Sequence, residues 1–189
     1  MRYHTLVRIY GKDAILRDCP CKFAARRNHL KSFIACIVLP KVVIQHMAPK
    51  MQAIHENLTL AGDAEITLEA NPGAVEAHHF KEYRQHGINR LSIGVQSLRD
   101  DSLRQIGRIH SAAEAVAAVH TARAAGFDNI NVDLMYGLPG QDSGMALADL
   151  TQATALPVTH VSWYHLTLEP NTLFHHAPPP LPDEDTIHA

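Results

Sequence analysis

From residue 63 onward the hydrophobic and polar positions follow two alternating periods. In the segments EITLE (65–69), RLSIGVQ (90–96), NINVDLM (129–135) and HVSWYHLTL (160–168), apolar residues alternate largely with polar ones or with glycine. A period of two sets successive side chains on opposite faces of an extended chain. It predicts four strands, at 64–69, 90–96, 129–135 and 160–168. Between them the period lengthens to that of a helix. Val75 to His86 carries Phe80 and Tyr83 on one face and is closed by Gly87, and a short helix from about Asp101 turns Leu103 and Ile106 inward. Ser111 and Glu114 have capping-box spacing and open an Ala-rich helix with Ala115, Val119, Ala122 and Ala125 on its apolar face; Gly126 stops it. A further helix spans about Ser143 to Ala155. Strand–helix units of roughly 25 to 40 residues predict parallel βα repeats joined by right-handed crossovers.

The first part of the chain reads differently. Residues 1–46 are basic and lack a sustained period. Met1–Tyr10 and Val38–Gln45 are candidate strands, the second weakened by Pro40. From Met47, the residues Met51, Ile54, His55 and Leu58 fit one helical face. The division expected is therefore an irregular segment over 1–46, a partial α/β barrel of about four βα units over 47–172, and an extended Pro-rich tail over 173–189.

Composition narrows the function classes. A formal charge of -2 argues against a nucleic-acid surface. No run of apolar residues is long enough to span a membrane, and Phe33–Val38 behind Arg26, Arg27 and Lys31 is a faint echo of a signal peptide. The expectation is a soluble, cytoplasmic protein of undetermined oligomeric state. Three cysteines, Cys19, Cys21 and Cys36, are an odd count and no disulfide framework. The 14 histidines show no metal-ligand spacing on a helix.

Each regular strand ends in polar or turn-forming residues: Glu69-Ala70-Asn71-Pro72, Gln96-Ser97, Asp133 with Gly137-Leu138-Pro139-Gly140, and Glu169-Pro170-Asn171. Strand C-termini are where ligands bind in α/β sheets and barrels. Glu69, Gln96 and Asp133 are therefore expected on one rim, with Arg108 reaching back over it. Gly94 inside its strand marks a close approach of a ligand or of another part of the chain. Carboxylates buried near one another are costly unless matched, which points to a polar ligand with hydroxyl and ammonium groups. The structural alternative is loop capping, or ion pairing of Glu69 and Asp133 with Arg90 or Arg108.

The segments EITLEANPG, GINRLSIGVQS, LRQIGRIH, NINVDLMYGLPGQ and VSWYHLTLEPNTLF resemble the radical S-adenosylmethionine (SAM) proteins of the oxygen-independent coproporphyrinogen III oxidase-like group. They are most similar to its heme chaperone branch. The likeness runs from about residue 47 to 189. It implies a partial parallel (β/α) barrel, S-adenosylmethionine and a 4Fe–4S cluster as cofactors, and heme or a porphyrin as partner. By motif, Glu69, Gln96, Arg108 and Asp133 match cofactor-contacting positions. A guanidinium fork suits the cofactor carboxylate, Gln96 and Asp133 suit ribose hydroxyls, and Glu69 suits the ammonium. Members of the group are longer, so a C-terminal domain is expected to be missing.

The N-terminal segment departs from the pattern. The family needs C-x-x-x-C-x-x-C, usually followed by Asp-Phe, so that three thiolates of one loop each reach an iron. Here the corresponding run is Ala14-Ile15-Leu16-Arg17-Asp18-Cys19-Pro20-Cys21-Lys22-Phe23. Ile15 falls on the first ligand position, Cys19 and Cys21 are one residue too close, and the GGGTP segment after the second strand is missing. Cys19 and Cys21 remain as a degenerate metal-binding pair. Phe23 stands where coproporphyrinogen dehydrogenases carry a further cysteine, which again favours the chaperone branch. Three readings follow: a radical SAM protein defective in cluster binding; a non-catalytic barrel remnant with weak nucleoside-type binding; or an unrelated barrel enzyme with phosphate loops. The third fits worst, because no Gly-rich loop opens a capped helix.

Overall fold

The computed structural model describes residues 4–11, 24–27, 33–40, 47–57, 60, 62–73 and 77–183. Four parallel strands carry the molecule: β4 (Glu65–Ala70), β5 (Arg90–Gln96), β6 (Asn129–Tyr136) and β7 (His160–His165). Their registers pair Leu68 with Leu91, Leu91 with Ile130, and Val132 with Val161. The parallel β4-β5-β6-β7 array and its crossover helices are those the alternating periods predict. The last strand is shorter than expected. Leu166 still donates its amide to the Tyr136 carbonyl at 2.9 Å, but the ladder stops there, ahead of the turn at Glu169-Pro170.

Three further strands extend the sheet: β1 (His4–Gly11), β2 (Ala24–Arg27) and β3 (Phe33–Pro40). The full order is β2-β3-β1-β4-β5-β6-β7. Both pairings of β1 are antiparallel, Arg8 opposite Cys36 of β3 and Ile9 opposite Ile66 of β4. The strand expected over Val38–Gln45 instead lies earlier and ends on Pro40, which has no N–H to continue a ladder. Its continuous apolar run FIACIVLP carries no alternation that would mark it as a strand.

The helices are α1 (Met47–Asn57), α2 (Phe80–Gln85), α3 (Asp100–Gln105), α4 (Ala112–Ala124), α5 (Ser143–Ala155) and the short α6 (Leu173–His176). Residues of α1, α2, α4 and α5 pack with the apolar side of the parallel sheet in one core, while Ile106, after α3, and Phe174 of α6 join a second, smaller cluster with Leu138 and Leu166. Met51 and Ile54 of α1 are buried, whereas His55 is exposed, so the face predicted there is narrower than its sequence pattern. Leu58 lies outside the described residues. Phe80 and Tyr83 are buried as expected, and the Phe80 ring meets Phe127 edge-on with centroids 6.5 Å apart. The helix expected from Val75 is regular only from Phe80; residues 74–76 lie outside the described residues. The Ser111–Glu114 capping box is formed, with Glu114 N donating to Ser111 Oγ at 3.2 Å and Ser111 N to Glu114 Oε2 at 2.8 Å.

The alternation then decides what each face of the sheet does. Ile66, Leu68, Leu91, Ile93, Ile130 and Val132 turn to the helices and form the core. The residues between them, Glu65, Thr67, Glu69, Arg90, Ser92, Asn129, Asn131 and Asp133, fall on the opposite face. That inner face is polar up to Asp133, and Met135 beyond it packs against the cluster of Ile106, Leu138 and Leu166.

Candidate functional site

The polar face is built in layers. At the N-terminal end of the strands, Asn129 Nδ2 donates to Glu65 Oε2 at 3.2 Å and Arg90 lies 3.8 Å from Glu65 Oε1. Arg90 Nη1 also reaches Thr67 Oγ1 at 3.5 Å. Arg90 is thus occupied at this end of the sheet by Glu65. In the middle, Ser162 Oγ donates to Asn131 Oδ1 at 3.1 Å, and Asn131 Nδ2 donates to Ser92 Oγ and to Asp133 Oδ1, each at 2.9 Å. Ser92 Oγ donates onward to Asp133 Oδ2 at 3.0 Å. Parallel register makes this chain possible, since it sets Ser92 beside Asn131 and Asp133 beside Ser162. Burial pushes the Asp133 carboxyl above its ordinary range, while donation by Ser92 and Asn131 and the charge of Arg90 act against that rise.

The C-terminal layer opens around Tyr164. Its hydroxyl donates to Gln96 Oε1 at 3.0 Å. Burial raises the phenol pKa; the carboxylates of Asp133 and Glu69 add to the rise, and the guanidinium of Arg108 opposes it. One phenol therefore feels or touches all four residues singled out in the sequence, Glu69, Gln96, Arg108 and Asp133. They come from β4, the end of β5, the segment after α3, and β6. Asp133 presents a hydrogen-bonded, half-buried carboxylate to the rim, and Glu69 lies partly buried two residues beyond Thr67 on the same strand face.

Two local features hold Gln96 in place. Gln96 has φ +69°, the left-handed region that side chains other than glycine rarely adopt, and the β5–β6 register shifts between Ile93 and Gln96. Its side chain folds back over Gly94, where an added Cβ would stand 2.9 Å from Gln96 Nε2. The close approach expected at Gly94 is thus, in the first instance, that of the protein's own amide. Arg108 is delivered by the segment that follows α3. His110, itself buried, sets Nε2 3.2 Å from the Val95 carbonyl and ties that segment to the end of β5. Burial lowers the His110 pKa, the Val95 contact opposes this, and the nearby Arg108 charge lowers it further.

Tyr164, His110 and the Ser92–Asn131–Ser162 chain were not evident as site residues from the sequence. The available signal was parity. Ser162 and Tyr164 sit at even spacing on β7 beside Asp133, so they had to share its face. Cys19 and Cys21 lie outside the described residues. Cys36 is on β3, separated from β4 by β1. Among the described residues, no group of three or more His, Cys, Asp or Glu is placed to hold a metal ion, and no helix is long and apolar enough to cross a membrane.

Comparison with known proteins gives this arrangement its context. The radical SAM superfamily profile matches residues 42–150, more than half of the chain. The chain belongs to the radical SAM superfamily. Within it, the chain is 50% identical over 143 residues to the heme chaperone HemW of Haemophilus influenzae, covering 76% of this chain and 37% of that protein. It is likewise 50% identical over 141 residues to HemW of Escherichia coli, covering 75% and 37%. Among solved structures, coproporphyrinogen III oxidase (HemN) from Escherichia coli superposes with a TM-score of 0.70 at 27% identity, over 78% of this chain and 35% of that one. The archaeal Elp3 of Methanocaldococcus infernus shares the fold alone, with a TM-score of 0.59 at 17% identity, over 71% of this chain and 36% of that one. The chain thus spans little more than a third of the length of the curated relatives it matches. The similarity to HemW and HemN agrees with the resemblance carried by the strand-end motifs.

Proposed function

We propose that this chain is a partial radical SAM protein of the heme chaperone branch that keeps a site for S-adenosylmethionine but not one for its cluster. The layer around Tyr164 carries the first half of this reading. S-adenosylmethionine offers a carboxylate, an ammonium and two ribose hydroxyls, and the rim offers a guanidinium, two carboxylates and an amide. Arg108 would hold the carboxylate, Glu69 the ammonium, and Gln96 and Asp133 the ribose. The Asp133 carboxyl, with its raised pKa and two fixed donors, is suited to a hydroxyl rather than to a second cation. Tyr164 shares a hydrogen bond with Gln96 and would have to release or share that amide when ribose enters.

The cysteines support the second half. A 4Fe–4S cluster in this family supplies the single electron that splits the cofactor and needs three thiolates from one loop. This chain has three cysteines in all, with Ile15 at one ligand position and a C-x-C pair at the others. The third, Cys36, sits on a strand of the antiparallel extension, opposite Arg8. These residues do not fit the cluster, so no radical step is assigned to the chain. Heme or a porphyrin is the partner by similarity to HemW and HemN, and the working compartment is the cytoplasm.

Anaerobic reconstitution with iron, sulfide and dithionite tests the reading. The expected outcome is binding of S-adenosylmethionine by calorimetry without a cubane Mössbauer signature and without 5′-deoxyadenosine. Ile15→Cys combined with one residue inserted between Pro20 and Cys21 should raise cluster loading. Stoichiometric 5′-deoxyadenosine from the unmodified chain would overturn the proposal.

A further inference from the structure

Asp149 lies outside the family's strand-end motifs, on α5, in the middle of an Ala-rich helix, and it is fully buried. Both carboxylate oxygens are used on a loop some fifty residues earlier in the chain. Oδ2 accepts from Ser97 Oγ at 2.6 Å, and Oδ1 accepts from the Leu98 amide at 3.1 Å. Ser97 Oγ accepts in turn from the Arg99 amide at 3.2 Å, and Ser97 N donates to the Val95 carbonyl at 2.9 Å. The two residues directly after Gln96 are therefore fixed from a different helix, and the residue they fix is the one with the left-handed backbone. A carboxylate taken wholly out of water is costly and persists where its hydrogen bonds are charge-assisted and complete. A strained backbone likewise persists only where its surroundings over-determine it.

We infer that Asp149 is a positioning residue that, by clamping Ser97 and Leu98, holds Gln96 in its left-handed conformation with its amide over Gly94 and against Tyr164. The geometry allows little else for this carboxylate: it is sealed from solvent and faces no part of the rim directly. α5 thereby becomes part of the site without contributing a side chain to it. Without the clamp, the Gln96 backbone is free to leave the left-handed region, and its amide loses its fixed place over Gly94 and against Tyr164.

The inference rests on the S-adenosylmethionine reading only for one of its two measurements, so the two can fail separately. In the whole 189-residue chain, Ser97→Ala removes the shorter bond, Asp149→Asn removes the charge, and Ser97→Thr keeps the hydroxyl. Thr121→Ala serves as a control that removes an exposed side-chain bond on α4 away from this segment. The ligand-free measurement is the Gln96 side-chain amide resonance in 15N-labelled protein. It should shift in Ser97→Ala and Asp149→Asn, return in Ser97→Thr, and stay put in Thr121→Ala. The second is calorimetric titration with S-adenosylmethionine, which should weaken roughly tenfold in Ser97→Ala, the scale of one lost polar contact, and recover in Ser97→Thr. If Asp149→Asn does not fold, Ser97→Ala carries the test alone. A Gln96 resonance unmoved in Ser97→Ala would overturn the inference. A resonance that moves in a protein without measurable affinity for S-adenosylmethionine would uphold it and refute the ligand assignment.

Discussion

Replacing Gly94 by alanine separates the site from the fold more cleanly than any other change. The new Cβ would come 2.9 Å from Gln96 Nε2, while its next neighbours, the Ala70 carbonyl oxygen at 3.7 Å and Asn71 Oδ1 at 3.9 Å, are at ordinary contact distance. The strand has room for a methyl group, and only the far end of one flexible side chain must move. Moving it breaks the 3.0 Å bond from Tyr164. A typical net hydrogen bond is worth about 0.5–1.5 kcal/mol, and exchanging glycine for alanine inside a strand returns roughly 0.5–1 kcal/mol. The two nearly cancel, so stability should stay within about 1 kcal/mol of wild type by these same magnitudes. The ligand site, by contrast, loses its amide. Urea unfolding monitored by Trp163, the sole tryptophan and the neighbour of Tyr164, gives the first quantity; calorimetric titration with S-adenosylmethionine gives the second. An unchanged affinity, or a stability loss of more than about 3 kcal/mol, beyond the balance of these terms, would show that the Gly94–Gln96–Tyr164 geometry is wrong.

Other perturbations follow the same logic. At Gly137 (φ +69°) an added Cβ would meet the His165 ring at 2.4 Å, so Gly137→Ala should destabilise by about 1–3 kcal/mol in urea unfolding, unlike Gly94→Ala. Arg108→Ala should weaken S-adenosylmethionine binding by about 1.5–3 kcal/mol, the scale of a hydrogen bond to a charged group, and an unaltered titration would remove Arg108 from the site. The Asp133 pKa is raised in the folded state, so the folded protein holds that proton more tightly than the unfolded chain does. Its contribution to stability is present below the ordinary carboxylate value of about 4 and is lost as pH rises through the raised one. Asp133→Asn should flatten that part of the stability–pH profile; an unchanged slope would contradict it.

Where the sequence was legible, one physical rule made it so. Period two fixes which residues share a face, and with the turn-forming residues that follow it is enough to set Glu69, Gln96 and Asp133 at strand ends. It failed where the pattern carries no parity. FIACIVLP is apolar throughout and gave no register, and the four residues of β2 are too few to show a period. Asp149 was invisible for a different reason. A single carboxylate in an Ala-rich helix ordinarily faces water, and only tertiary packing reveals that its partners are Ser97 and Leu98. His110 was hidden likewise, because its partner is a backbone carbonyl and no sequence pattern records that.

The position of β1 in the sheet bears on the order in which the chain acquires its structure during synthesis. β1 is made first, yet one of its two neighbours, β4, is made late: Tyr10 sits opposite Glu65. Until β4 has emerged, β2, β3 and β1 can assemble only as a small antiparallel sheet in that order, with one edge of β1 bare, a template for pairing with other chains. Contacts this far apart in sequence are also slow to form, because loop closure must be paid for before the pairing is gained. β4 is thus the seam at which an early antiparallel piece joins a later parallel one. Its arrival, rather than the formation of either piece, sets how long the nascent chain remains vulnerable to aggregation.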